Sequence, residues 1–307
     1  MNKKLIVWAA ILLGLFVPVF SVGAGSPSPF PIAAPKSLVL YDASSGTLPD
    51  SSLMSFADFP FGNISPTYAG DAAILDTTVS GNDSFAGWVS SIATTVGFPV
   101  LDRAEGIQVN FTVQVESETH TRETRSGFSM IVLDKDKKGI ELSFGENEIW
   151  AKSDDNTGGL FYRGEDTTFA TIDMTAYQVI LMGDTYSLTA NGQPILSGPL
   201  RDYTAFDGFP DPYETPNFLF FGDNTTAAQA RIRLLYISIT GSEPVTPTNT
   251  GINIPPTVAF TPMPQASSTT IPTSAPTQPV VNLCPSGWLT GVVMAAGVML
   301  SKKIRHT

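Results

Sequence analysis

Three glutamates lie close together near the middle of the chain, at Glu141, Glu146 and Glu148. Two carboxylates that flank a glycosidic bond can hydrolyse it, one as the acid and the other as the nucleophile or base. Because side chains two residues apart point to the same face of a strand, Glu146 and Glu148 are expected to share a face beyond a turn at 144–145. An acidic pair beside Trp150 is also ordinary at the start of a strand, so the arrangement is a weak indication of glycoside hydrolysis.

Acidic loops indicate a second possible chemistry, the binding of Ca²⁺, a hard cation that takes roughly six to eight oxygen ligands. The candidate ligands are the carboxylates of Asp154, Asp155, Asp207, Asp211 and Asp223. None of these loops has the spacing of an EF-hand, and acidic loops are also ordinary solvated turns. We therefore expect either one structural Ca²⁺ or no metal.

Aromatic and cationic side chains near predicted loops and strand ends indicate a ligand-binding surface. Aromatic rings can stack on the apolar face of a sugar, and Trp150 and Tyr213 are the strongest candidates for such contacts. Arg125, in the charged segment 116–127, can pair with the acidic group of a sugar. The alternatives are that Trp150 packs in the core and that segment 116–127 is a solvated loop.

Charge and cysteine content exclude several classes of protein. The net charge is −11, and residues 25–286 hold 12 basic against 28 acidic residues, a balance of −16. Such a surface repels phosphate backbones, so nucleic acid is not an expected partner. Cys284 is the only cysteine, and the chain therefore forms no intrachain disulfide.

The stretch between Lys36 and Thr240 shows the period-two alternation of strands and hardly any helical periodicity. The alternation is clearest in β-branched and aromatic residues that are expected to share one buried face: Ile107, Val109, Phe111, Val113 and Val115. The pattern predicts an all-β protein with two antiparallel sheets packed as a sandwich. The predicted strands are 37–42, 71–76, 106–116, 126–134, 139–144, 147–153, 176–182, 184–191, 193–198, 217–222 and 230–240.

Three of these segments carry a resemblance to a known family. The order RSGFSMIVLDKDKKGIELSF, then YQVILMGDTYSLTANGQPIL, then NFLFFGDNTTAAQARIRLLYISI is similar to that of the concanavalin A-like lectin and glucanase jelly roll. Laminin-G-type and sialidase-associated lectin-like domains share this plan. The resemblance covers most of the stretch between Lys36 and Thr240 and implies a two-sheet jelly-roll sandwich.

The resemblance implies a fold more than an activity. Members of the family that cleave β-glucans carry Glu, Asp and Glu at alternate positions of one strand, and this chain lacks that pattern. We therefore expect a non-catalytic surface protein, not an enzyme, whose jelly roll binds an extracellular glycan. The alternatives are a structural module that binds neighbouring surface proteins and, third, a glycoside hydrolase.

The N-terminus has the three parts of a secretory signal. Residues 1–24 contain Lys3 and Lys4, an apolar run, and a small-residue cleavage site at 22–24. The alternative is an uncleaved N-terminal anchor. Cleavage after Ala24 would leave a lectin-like domain at 25–240 as the first part of the mature protein.

The C-terminal part is predicted to hold that domain at a membrane. Residues 241–286 are rich in Pro, Thr and Ser, which predicts a disordered stalk. Residues 287–307 form a short apolar run with a basic tail, which predicts a membrane helix or sorting helix. This end resembles the sorting signals of bacterial surface proteins, with Cys284 at the head as the candidate anchoring residue. The sequence thus predicts an exported protein anchored in a membrane or wall, with the ectodomain outside.

Overall fold

The computed structural model describes residues 35–59, 62–80 and 85–243. The predicted signal peptide (1–24), most of the stalk (241–286), Cys284 and the C-terminal helix (287–307) lie outside these residues and stay predictions. Within the described ranges, no helix is both long enough and apolar enough to cross a lipid bilayer.

Two antiparallel sheets form the described part of the chain, which confirms the predicted all-β sandwich. Sheet 1 consists, in spatial order, of β13 (Gln193–Pro199), β12 (Thr185–Ala190), β11 (Thr175–Met182), β6 (Ile107–His120), β16 (Ala228–Ser242), β4 (Ala72–Asp76) and β3 (Thr67–Ala69), with β1 (Pro35–Asp42) paired to β16. Sheet 2 consists of β10 (Arg163–Thr168), β9 (Glu148–Lys152), β8 (Lys138–Phe144), β7 (Ser129–Leu133), β15 (Phe218–Asp223), β5 (Phe85–Ser91) and β2 (Ser55–Phe59), with β14 (Arg201–Asp202) paired to β8.

Strand β6 confirms the predicted alternation and shows why sheet 1 has one dry face. Its β-branched and aromatic side chains are all buried in the core: Ile107, Val109, Phe111, Val113 and Val115. The polar residues between them lie on the other face and are partly exposed. Because a fully buried apolar side chain stabilises the fold by about 1.5–3 kcal/mol, this face fixes the register of β6.

The predicted strands 176–182, 184–191 and 193–198 correspond to β11, β12 and β13, which pair in sequence as a meander. Its second corner has positive φ angles at both central residues, 49° at Asn191 and 78° at Gly192. A type I′ turn requires this geometry, and Asn-Gly is the pair that adopts it with least strain.

Aromatic side chains join the two sheets across the core. The ring centroid of Phe111 in sheet 1 lies 5.1 Å from that of Phe221 and 5.9 Å from that of Phe144, both in sheet 2. Tyr177 stacks beside Phe111 from the neighbouring strand, at 5.1 Å. These contacts hold sheet 2 in a fixed position, so its outer face can carry a preformed site.

Five strands have no counterpart among the predicted ones: β2, β3, β5, β10 and β14. Strand β10 reads RGEDTT and lies at the edge of sheet 2, so it has no apolar face for alternation to reveal. Strand β5 reads FAGWVSS, in which glycine, alanine and serine interrupt the pattern.

Candidate functional site

Sheet 2 differs from sheet 1 because protein covers both of its faces. In β15, Leu219 and Phe221 belong to the core between the sheets, whereas Phe218 and Phe220 lie on the outer face. A second hydrophobic cluster forms on this outer face: Ile131, Leu133, Phe161, Tyr203, Tyr213 and Phe218. Half of its members come from the β9–β10 loop (153–162) and the β14–β15 loop (203–217), so these two loops lie over the sheet.

A groove of about 600 Å³ remains between the loops and the outer face of sheet 2. Its lining includes five phenylalanine rings that are at least partly exposed: Phe59, Phe85, Phe206, Phe209 and Phe220. The ring of Phe59 stacks on Phe85 at 5.3 Å and meets the edge of Phe209 at 5.7 Å. Phe209 is 79% exposed, so a large apolar ring faces water beside the groove.

The lining also contains polar side chains that can bind a ligand through hydrogen bonds and charge: Asp58, Arg125, Asp211, Asn224, Thr225 and Thr226. The guanidinium carbon of Arg125 lies 5.1 Å from the ring centroid of Phe161. A cation over a ring face is favourable, and this contact holds Arg125 against the wall of the groove.

Behind the groove, Glu141 is completely buried and joins two parts of its wall. Its carboxylate accepts a hydrogen bond of 2.5 Å from the hydroxyl of Tyr213 and one of 3.0 Å from Asn224 Nδ2. The hydroxyl of Tyr203 accepts from the Glu141 amide and donates to the Lys152 carbonyl. Burial raises the pKa of Tyr213 well above its usual value, and the charge of Glu141 raises it further, so the phenol stays a donor.

The structure places the three predicted ligand-binding residues in two locations. Arg125 and Tyr213 both line the groove, although Tyr213 is largely buried. Trp150 is not among the lining residues and is fully buried. The guanidinium carbon of Arg163 lies 4.3 Å from the centroid of its ring, and Lys152 Nζ lies 5.4 Å away.

The three glutamates considered for glycoside hydrolysis have different partners. Glu141 is buried behind the groove, as described above. Glu146 accepts a hydrogen bond from the amide of Glu118, and Glu148 forms an ion pair with Arg163.

The predicted calcium ligands are largely engaged by protein donors. The two carboxylate oxygens of Asp154 accept from Thr157 Oγ1 and from the Asp202 amide. Those of Asp223 accept from Thr77 Oγ1 and from the Thr225 amide. Asp211 accepts from the amide of Tyr213, whereas Asp155 and Asp207 are exposed.

Among the residues that the structure describes, no group of three or more His, Cys, Asp and Glu side chains is arranged to hold a metal ion. The calcium site stays a prediction.

The phenylalanines of the groove were missed by the sequence analysis, although one signal for them exists. The residues of β15 read FLFFGD and those of β7 read SMIVL, so both strands are apolar on both faces. A strand of sheet 1 such as β6 is apolar on one face only. Two-sided apolar strands predict that a sheet is covered on both sides, which here means the core and the loops that form the groove.

No known protein family matches the chain, and no curated protein is similar to it in sequence. Solved structures are similar to the chain at low identity. A carbohydrate esterase from the Shiga toxin-encoding bacteriophage phi24B is 12% identical, with 61% of this chain and 90% of that chain covered and a TM-score of 0.40. The alginate lyase A1-II′ of polysaccharide lyase family 7 is 12% identical, with 61% and 86% covered and a TM-score of 0.36. The family 29 carbohydrate-binding module CBM29_1 from Piromyces equi is 10% identical, with 68% and 93% covered and a TM-score of 0.31.

The described chain is a two-sheet antiparallel sandwich, in agreement with the predicted concanavalin A-like plan. One prediction is corrected. The expectation that the protein is not an enzyme was wrong as an inference from this fold, because the similar structures include a lyase and an esterase beside a binding module. The missing Glu-x-Asp-x-Glu strand argues only against one type of glucanase.

Proposed function

We propose that this chain is an exported surface protein whose jelly roll binds a carbohydrate chain in the groove on the outer face of sheet 2. The observation that carries the proposal is the row of phenylalanine rings in that groove, with Phe209 79% exposed. Leaving such a ring in water is unfavourable, and stacking on the apolar face of a sugar offsets that cost.

The polar part of the lining supports a sugar over a purely apolar ligand. Arg125, Asn224 and Thr226 supply donors and acceptors beside the rings, and the hydroxyl groups of a sugar need such partners when they leave water. The signal peptide, stalk and C-terminal tail predicted from the sequence support display outside the cell, where polysaccharides are available as ligands.

The test is a glycan array probed with the full-length protein, followed by calorimetric titration of the best ligand. We expect saturable binding of an oligosaccharide long enough to contact several rings. Mass spectrometry of the same mixtures shows whether the bound chain is also cleaved. An array that retains no saccharide, probed with a protein whose fold is intact by circular dichroism, would contradict the proposal.

A further inference from the structure

We infer that the ligand of the groove is an anionic polysaccharide, whose carboxylate or sulfate group pairs with Arg125. The inference rests on the proposed carbohydrate-binding function and adds the chemical class of the ligand. It is carried by the position of Arg125 in the groove and by the absence of a hydrogen bond or ion pair between its side chain and any described residue.

Arg125 differs from the other arginines in its surroundings. Five arginines form ion pairs with carboxylates: Arg103, Arg163, Arg201, Arg231 and Arg233. The side chain of Arg125 makes no hydrogen bond or ion pair with any described residue, although it is partly buried and lines the groove. The donors of its guanidinium therefore have no acceptor among the described residues, and a bound carboxylate or sulfate would accept from them in a bidentate arrangement.

Arg125 has two cationic neighbours, Lys152 and Arg163, in a protein that is acidic as a whole. The charges of Arg125 and Arg163 both act on Lys152, whose ammonium donates to the carbonyl of Thr124, next to Arg125 in the chain. Two carboxylates, those of Asp58 and Asp211, line the groove together with Arg125, and each accepts a hydrogen bond from at least one backbone amide. Behind the groove, Glu148 pairs with Arg163, and Glu141 accepts from Tyr213 and Asn224.

Charge far from the groove has a small effect on this contact. At physiological salt, interactions between exposed charges are screened over about 8 Å. The acidic balance of the rest of the chain therefore slows the approach of a polyanion without removing the attraction at Arg125.

Arg122 provides a matched control. It lies in the same loop, three positions before Arg125, but it is exposed and does not line the groove. If Arg125 acts only through the net charge of the loop, replacing Arg122 has the same effect on binding as replacing Arg125. If Arg125 binds the ligand directly, the two replacements have different effects.

The experiment titrates the full-length protein with a polyuronate, a sulfated and a neutral oligosaccharide of equal length, in about 0.15 M salt. We expect one of the two anionic ligands to bind at least about tenfold more tightly than the neutral ligand. Arg125→Gln is expected to remove that difference, Arg125→Lys to retain part of it, and Arg122→Gln to leave it unchanged. Thermal unfolding of each variant verifies that the fold is kept.

The outcomes separate the two proposals. Equal binding of neutral and anionic ligands, unchanged in Arg125→Gln, overturns the inference and leaves the carbohydrate-binding function standing. An equal loss in Arg122→Gln and Arg125→Gln assigns the effect to the charge of the loop and also overturns it. A protein that binds none of the three ligands contradicts both. A preference between the polyuronate and the sulfated ligand identifies the anionic group.

Discussion

The hydroxyl of Tyr213 donates a hydrogen bond of 2.5 Å to the carboxylate of Glu141, 72 positions away in the chain. Asn224 donates to the other oxygen of the same carboxylate. One buried anion thus ties the β14–β15 loop and the β15–β16 loop to the middle of sheet 2. Since Tyr213 and Asn224 both line the groove, the shape of the groove depends on Glu141.

Replacing Glu141 by alanine is expected to lower the free energy of unfolding by about 2–4 kcal/mol, because two buried donors lose their acceptor. Glu141→Gln keeps the size of the side chain and one carbonyl acceptor, so its expected cost is nearer about 1 kcal/mol. Urea unfolding of the full-length protein, followed by tryptophan fluorescence, measures both values. Glu123→Ala, at an exposed position, is the control and is expected to change little.

The Glu141 variants also test whether Glu141 positions Tyr213 and Asn224 in the wall of the groove. Glu141→Gln is expected to weaken ligand binding although Glu141 is shielded from the groove, because Tyr213 and Asn224 move with it. Unchanged affinity in a variant that is measurably less stable would show that the two loops keep their positions without the carboxylate.

Phe209→Ala is expected to reduce the affinity for the oligosaccharide by about tenfold, since stacking contacts of this kind are worth about 0.5–1.5 kcal/mol. The ring is so exposed that its removal is expected to leave the melting temperature nearly unchanged. Tyr162→Ala removes another exposed ring, one that does not line the groove, and is the matched control. If Phe209→Ala and Tyr162→Ala both bind the oligosaccharide as tightly as the native protein does, the phenylalanine row is not the binding surface.

The sequence allowed the core to be predicted better than the site. The alternation in β6 is a local pattern, and it specifies the structure of that strand through burial alone. Arg125 and Tyr213 were recognised as ligand-binding candidates because a cation can pair with an acidic sugar and an aromatic ring can stack on a sugar. Their common location was not predictable, since it depends on a buried glutamate from a third element.

The phenylalanine row was not predictable for a related reason. Phe59, Phe85 and Phe209 come from two strands and a loop that lie far apart in the chain, and only the order of the strands in sheet 2 brings them together. Trp150 illustrates the opposite case. Its type and position suggested a sugar platform, but the side chain of Arg163 lies over its ring, and nothing in the local sequence predicts that contact.

The stability of the protein at acidic pH tests whether the pKa of the buried Asp223 carboxyl is raised in the folded state. Burial raises its pKa well above the usual value, and the nearby charge of Glu118 adds to the effect. A carboxyl whose pKa is higher in the folded than in the unfolded state binds protons more tightly when folded. Its contribution to stability is therefore full below the unfolded pKa, near 3.8, and is lost as the pH rises through the folded pKa.

Asp223→Asn removes this titration and keeps an acceptor for Thr77 or Thr225. We expect the unfolding free energy of the variant, minus that of the native protein, to increase as the pH rises from about 4 towards neutrality. Asp155→Asn, at an exposed position, serves as the control. A difference that is constant over this range would show that the pKa of Asp223 is not raised in the folded protein.

Alkaline pH gives the corresponding test for Lys152. Burial lowers its pKa to about 8, and the positive charges of Arg125 and Arg163 lower it further against the opposing effect of Glu141. Because the folded pKa lies below the unfolded value of 10.5, the unfolded state binds more protons between these two limits. The contribution of Lys152 to stability therefore rises as the pH increases from about 8 to 10.5.

Lys152→Met keeps the length of the side chain and removes the titrating group. The unfolding free energy of the native protein, minus that of the variant, is expected to increase between pH 8 and pH 10, and taking this difference cancels the titration of the buried tyrosines. Lys138→Met, at a less buried lysine of the same sheet, is the control. A flat difference for Lys152→Met would mean that water or a rearranged Glu141 solvates the ammonium.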